Sequence, residues 1–207
     1  MPVRFASKRV STTFIKLPHT LPQITFFSLP SAVRIEILRY QDAIYQMDSN
    51  TILQTTSFLG FTSSIWLSGI YYSQSHLTIP LLYDLAEDTS ASIFQDLYHS
   101  GAKLIVPIVL TSVLSSGTSA YLDSEKRVPY AIAALATIGT LIWTRTVMMG
   151  GIERLIALAK NEPRLREKMQ PGEVVELLKQ WRWMNMVRAA LAGIGGIVGL
   201  LGASGIL

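Results

Sequence analysis

Residues 181–202 read WRWMNMVRAALAGIGGIVGLLG. From Ala189 to Leu207 there is no Asp, Glu, Lys or Arg, and roughly 20 apolar residues suffice for a helix to cross the hydrocarbon core of a bilayer. On a helix that begins near Glu173, positions 181, 185, 188, 192, 195, 199 and 202 share one face by the helical period. They are Trp181, Asn185, Arg188, Ala192, Gly195, Gly199 and Gly202. Close approach of a neighbouring helix explains the glycines. It does not explain Asn185 and Arg188. An arginine beside an amide at low dielectric can hold an anion, because both donate hydrogen bonds and the charge is poorly screened. A tryptophan on the same face supplies a flat apolar wall. The combination suits a planar ligand that becomes negatively charged during reaction.

The rest of the chain fits a membrane protein. Of its 207 residues 49% are hydrophobic and 15% charged, against roughly 25% charged in an ordinary soluble domain. Three further windows are nearly free of charge: Ile52 to Tyr72, Leu104 to Leu122, and Val128 to Thr144, continued past Arg145 to Ile152. The predicted fold is all-α, a four-transmembrane-helix bundle with spans near 52–72, 104–122, 130–149 and 185–206. Pro107 is placed near the start of the second span, where a helix tolerates proline best. Short amphipathic helices are expected in the first and third loops. Leu81, Leu82, Leu85 and Leu97 carry the first, and the stretch from Glu153 to Trp183, broken by Pro163, Pro171 and Gly172, carries the others.

Residues 1–48 differ from the membrane domain, residues 49–207. No acidic residue precedes Glu36, while Arg4, Lys8, Arg9, Lys16 and Arg34 are basic. That composition predicts a disordered leader and overlaps that of organellar transit peptides. A multi-pass protein of an endomembrane is favoured, with the mitochondrion as the alternative. Basic residues divide almost equally between the two sides, with a slight lean towards cytoplasmic termini. The chain has no cysteine, which removes disulfides, thiolate nucleophiles and thiolate metal sites. Its three histidines, His19, His76 and His99, are too dispersed for a three-histidine metal centre. A net charge of +4 with no basic, aromatic-interleaved patch predicts no nucleic-acid partner.

Polar residues inside the windows have two readings. Gln54, Ser57, Ser64, Ser68 and Tyr71 share a face of the first span. Thr111, Ser112, Ser115, Ser116, Thr118 and Ser119 gather in the second, and Thr137, Thr140 and Thr144 lie in the third. Helix-to-helix hydrogen bonding accounts for most of them, and ligand contact is the alternative. Arg145 is read as a snorkelling side chain near the end of its span.

Several short motifs carry a resemblance: SHLTIPLL at Ser75 to Leu82, Tyr98-x-x-Gly101, Trp143-Thr144 with Met148, and above all Trp181-x-x-x-Asn185-x-x-Arg188. Together with the four spans, they resemble the anthrone oxygenase-like family of small fungal and bacterial membrane proteins over about residues 50–205. The resemblance implies oxidation of an anthrone to an anthraquinone in aromatic polyketide assembly. Dioxygen is then the co-substrate and no metal or flavin takes part. It implies that Arg188 and Asn185 stabilise an oxyanion and that Trp181, Thr144 and Tyr98 meet the substrate. His99, with Asp96 three residues earlier, would be the base. The partners implied are an aromatic polyketide substrate, the lipid bilayer and enzymes of the same pathway. One departure stands out: where family members carry a Pro-Thr-Asn step, this chain reads Gly150-Gly151-Ile152, which removes an amide from the expected bundle mouth. A non-enzymatic membrane scaffold or accessory protein is the alternative reading.

Overall fold

The computed structural model of the protein describes residues 31–160 and 170–207. Residues 1–47 and 48–207 form two compact units. Of the first, only the helical residues from Ser31 onward are described, so the expected leader falls largely outside the described residues. Apart from the first part of helix α1, everything below concerns the second unit.

Helix α1 runs Ser31–Ser73, followed by a π-turn at Gln74–Thr78 and a 3-10 turn at Ile79–Leu82. Then come α2 (Glu87–Leu122), α3 (Arg127–Trp143), a second π-turn at Thr144–Met148, α4 (Met149–Ala159) and α5 (Glu173–Ser204). The described chain is all-α. Among the described residues, three helical runs are long and apolar enough to cross a membrane: Glu87–Leu122, Arg127–Ala159 and Glu173–Ser204. Helix α1 is not among them. Its charge-free window carries Gln54 and a dense set of Ser and Thr, which lower its hydropathy although no charge interrupts it.

The first loop is shorter than its sequence suggests. Helix α2 starts at Glu87, with Glu87 and Asp88 in its first turn, where carboxylates complement the helix dipole. Asp96, Leu97, Tyr98 and His99 therefore belong to α2 itself, and the loop holds a 3-10 turn in place of a separate amphipathic helix. Because α2 begins so early, Pro107 lies inside it and not near its start. Its missing N–H removes one rung of the ladder. In the third loop, α4 prolongs the third span to Ala159, residues 161–169 lie outside the described set, and α5 is continuous from Glu173.

The polar interior explains how these helices associate. The Ser64 hydroxyl lies 2.8 Å from Thr137 Oγ1 and donates to the Ala192 carbonyl at 2.8 Å. Ser68 donates to the Ala189 carbonyl, and Ser112 to the Gly60 carbonyl. At the far end Ser57 joins Ser119 and Tyr130. Thr111 and Thr118 instead return to carbonyls of their own helix on exposed faces. Meanwhile Leu114, Leu135, Ile194 and Ile197 point outward. Polar groups inside and apolar groups outside reverse the pattern of a soluble bundle. Arg145 is also exposed.

The small-residue stripe of α5 is buried along its whole length. A Cβ at Gly195 would stand 3.0 Å from the Ala133 carbonyl and 3.1 Å from Ser64 Oγ; one at Gly196 would stand 2.5 Å from Ile65 Cγ1 and 3.0 Å from Ile65 N. Backbone atoms cannot yield as a flexible side chain can. Gly196→Ala is therefore expected to cost about 1–3 kcal/mol by overpacking, read as a lowered unfolding midpoint in detergent. Gly139→Ala, with nothing within 4 Å of the added methyl, should leave the midpoint unchanged or raise it slightly, since alanine favours a helix interior over glycine.

Candidate functional site

Toward the end where α1 meets its π-turn, the bundle is less tightly packed. Gln74 on α1's π-turn, Phe94, Leu97, Tyr98, Gly101, Ala102, Ile105 and Val106 on α2, Leu141 and Thr144 on the third helical run, and Trp181 and Arg188 on α5 enclose a pocket. Its cavity volume is about 100 Å³, below the roughly 300–1,000 Å³ usual for small-molecule sites and too small as it stands to enclose a polycyclic ligand whole. Its walls are mostly apolar and aromatic. Phe94 meets the Trp181 ring edge-on at 5.5 Å and lies nearly parallel to Tyr98 at 6.4 Å. A planar aromatic ligand matches such walls.

The one cationic group on the wall is Arg188, whose side chain is 6% exposed. Among the described residues no carboxylate pairs with it. Burying an arginine without a counter-ion is costly, and its surroundings offset that cost only in part. Its Nη1 donates to Asn185 Oδ1 at 3.0 Å, and its guanidinium carbon sits 4.0 Å above the centre of the Tyr71 ring. A cation over an aromatic face gains about 0.5–2 kcal/mol. Arg188 Nε, Trp181 Nε1 and Tyr71 Oη are buried without a hydrogen-bond partner. Buried donors are rarely left so, and two of these three residues line the pocket.

Of the six residues singled out from sequence, four come together on the wall: Arg188, Trp181, Tyr98 and Thr144. Thr144 already gives its hydroxyl to the Thr140 carbonyl at 2.7 Å, and the Tyr98 hydroxyl points to Met149 Sδ at 3.9 Å. Asn185 stands behind the wall, fully buried. Both protons of its amide are used, on the Tyr71 carbonyl at 2.8 Å and on Ser75 Oγ at 2.9 Å, so it has no donor left for a ligand oxyanion. His99 is exposed, as is Asp96; it touches Tyr98 edge-on at 5.8 Å but is not part of the wall. Ile152, in place of the family amide, is fully buried in the apolar cluster with Met148, Phe94 and Trp181. It packs beneath the pocket.

Gln74 and Phe94 had no signal in the sequence, and Ser75 was marked only as the first residue of the SHLTIPLL segment. Among the described residues, no group of three His, Asp or Glu could hold a metal ion. Near the pocket-side helix ends, Arg154 grips Glu173 with two bonds of 2.8 and 3.2 Å. Gly172, at the start of α5 with φ 85°, donates its N–H to Glu87 at 2.7 Å. These contacts tie the starts of α2 and α5 to α4.

Comparison with known proteins identifies the class. The sequence profile described as anthrone oxygenase matches residues 94–198, just over half of the chain, including the α2 wall and the whole Trp181–Asn185–Arg188 face. The chain therefore belongs to the anthrone oxygenase family. It is 28% identical over 162 residues to anthrone oxygenase nsrD of Aspergillus novofumigatus (strain IBT 16806), covering 74% of this chain and 94% of that protein. It is likewise 28% identical to anthrone oxygenase AgnL2 of Paecilomyces divaricatus, covering 74% and 96%. The noranthrone monooxygenase of Aspergillus flavus is 22% identical, over 73% of this chain and 75% of that protein. No solved structure matches the chain.

The pocket walls give a direct test of where a ligand sits. A Cβ at Gly101 would stand 3.6 Å from Gln74 Nε2 and 3.8 Å from Ile105 Cδ1, ordinary contact distances. Gly101→Ala should be tolerated. Gly101→Leu should fill the pocket and weaken binding of a hydroxyanthraquinone at least tenfold, measured by equilibrium binding to the detergent-solubilised protein, with folding intact.

Proposed function

We propose that the protein is a membrane-embedded oxygenase that converts an anthrone-type aromatic polyketide intermediate to the corresponding quinone, with dioxygen as co-substrate. The observation that carries this reading is Arg188, a buried cation without a carboxylate partner, on the wall of an aromatic pocket. Such a group stabilises a ligand oxygen that gains negative charge. Family membership supplies the substrate class.

An anthrone loses a proton from the methylene opposite its carbonyl, and the charge moves to the carbonyl oxygen. With that oxygen at Arg188, the enolate is favoured over the neutral ketone. It gives an electron to dioxygen, and the resulting pair combines to a peroxide anion at the former methylene carbon, which takes a proton back from water at the pocket mouth to become the hydroperoxide. Loss of the remaining hydrogen there and cleavage of the O–O bond leave a second carbonyl and release water. The balance is anthrone plus dioxygen to quinone plus water. Phe94, Tyr98 and Trp181 hold the ring system; the unpartnered Trp181 N–H is available to a second ligand oxygen. The proton leaves through the pocket mouth, since the wall carries no histidine or carboxylate.

The reading extends to the membrane. We infer that α1 is the fourth span, since its Ser57, Ser64 and Ser68 hydroxyls are sequestered against other helices and Phe58, Ile65 and Trp66 face outward. A bilayer would then surround the pocket, giving an apolar substrate access from lipid.

The test is the rate of quinone formation from an anthrone such as emodin anthrone, measured against spontaneous air oxidation without protein. The wild type should accelerate it, and Arg188→Gln should lose at least a hundredfold of the acceleration, about 2.7 kcal/mol. No acceleration with any anthrone would overturn the reading. His99→Ala should retain at least half of the wild-type rate, because His99 is exposed and off the wall.

A further inference from the structure

We propose that Ser75, with the Tyr71 carbonyl, is the positioning element of this site: it fixes Asn185, which in turn fixes Arg188 for the ligand oxygen. The proposal rests on the function proposed above and adds residues outside the pocket wall.

The bonds form an ordered chain. At the end of α1 the backbone changes to π-turn geometry over Gln74–Thr78, with the Ile79 N–H reaching the Gln74 carbonyl. Single π-turns inserted in helices recur at functional sites. Just before this turn the Tyr71 carbonyl accepts two side-chain donors, the Ser75 hydroxyl at 2.9 Å and Asn185 Nδ2 at 2.8 Å. The second Asn185 proton goes to Ser75 Oγ at 2.9 Å. The Arg182 carbonyl lies 3.3 Å from the same hydroxyl as a longer acceptor. Ser75 and Asn185 are both fully buried.

Directionality follows from this arrangement. Two acceptors on the α1 side face the Asn185 NH₂ group, so the amide can stand in only one of its two flipped orientations. The oxygen then faces Arg188 and accepts from Nη1 at 3.0 Å. A flipped amide would present NH₂ to a guanidinium that has no acceptor to offer. With Nη1 held by Asn185 and the guanidinium seated on the Tyr71 ring, Nε remains without a protein partner. Tyr71 thus acts twice, through its carbonyl and through its ring. Asn185 keeps Arg188 neutral-partnered. A carboxylate at the same place would cancel the charge that a ligand anion needs.

The closing experiment compares wild type, Ser75→Ala, Ser75→Thr and Asn185→Asp in detergent or nanodiscs. It has two readouts: steady-state anthrone oxidation, and the absorption spectrum of bound 1,8-dihydroxyanthraquinone at a pH where the free probe is un-ionised. Wild type is expected to bind the probe with its phenolate band developed. Ser75→Ala should lower kcat roughly ten- to a hundredfold, the scale of a small misplacement, with KM within about threefold, and should bind the probe with a weaker phenolate band. Ser75→Thr, which keeps the hydroxyl, should recover most of both. Asn185→Asp should bind the probe un-ionised. A folded Ser75→Ala protein with wild-type kcat and a full phenolate band would overturn the positioning role. Should Ser75→Ala fail to fold, wild-type behaviour of Asn185→Asp would overturn it equally. A wild type that ionises the probe but accelerates no anthrone would remove the functional reading and leave the positioning role standing. A wild type that does neither would remove both.

Discussion

The structure depends on one constraint: the Arg188 guanidinium is buried with no carboxylate beside it among the described residues. A buried arginine without a counter-ion is expensive, and here Arg188 is held by a neutral amide and an aromatic face. Neutral partners compensate the lost hydration in part while leaving the charge uncancelled. On the proposed function, that remaining electrostatic demand selects a ligand oxygen that bears negative charge. The nearby elements converge on it: the π-turn after α1 presents Ser75 and the Tyr71 carbonyl, and α5 presents Asn185 one turn before Arg188.

The helix packing serves the same end. Gly195 and Gly196 bring α5 against α1 and α3 so closely that added methyl groups would strike backbone atoms. Close approach puts Ser64 and Ser68 within reach of α5 carbonyls. These bonds set the depth at which α5 sits beside α1, and so the height at which Asn185 meets the π-turn. Fold and site are coupled through this helix pair.

Much of this was legible in the sequence, and for a physical reason. In so apolar a chain, the helical period of α5 suffices to align Trp181, Asn185, Arg188 and the glycines, and all of them are buried on one face. The Ser and Thr faces of α1 and α3 were legible on the same ground. The two π-turns were not, because a one-residue change of ladder register leaves no mark in hydrophobic periodicity. Without them Ser75 is only the first residue of the SHLTIPLL segment, and Asn185 reads as a ligand donor although its amide protons go to the Tyr71 carbonyl and Ser75 Oγ. Pro107 misled for another reason: sequence placed the start of α2 by its charge-free window, whereas the helix begins at Glu87 and carries charged residues through its first turns. Phe94 and Gln74 needed the tertiary arrangement, since neither lies on a face that periodicity marks as special.

The most direct measurement is an experimental structure of the protein in lipid or detergent with a hydroxyanthraquinone bound, by crystallography or by intermolecular NMR contacts. The ring system should lie against Phe94, Tyr98 and Trp181, with a ligand oxygen within hydrogen-bonding distance of Arg188 and no ligand contact to Asn185. A ligand bound elsewhere on the bundle, or one seated in the pocket with its oxygens turned away from Arg188, would contradict the account.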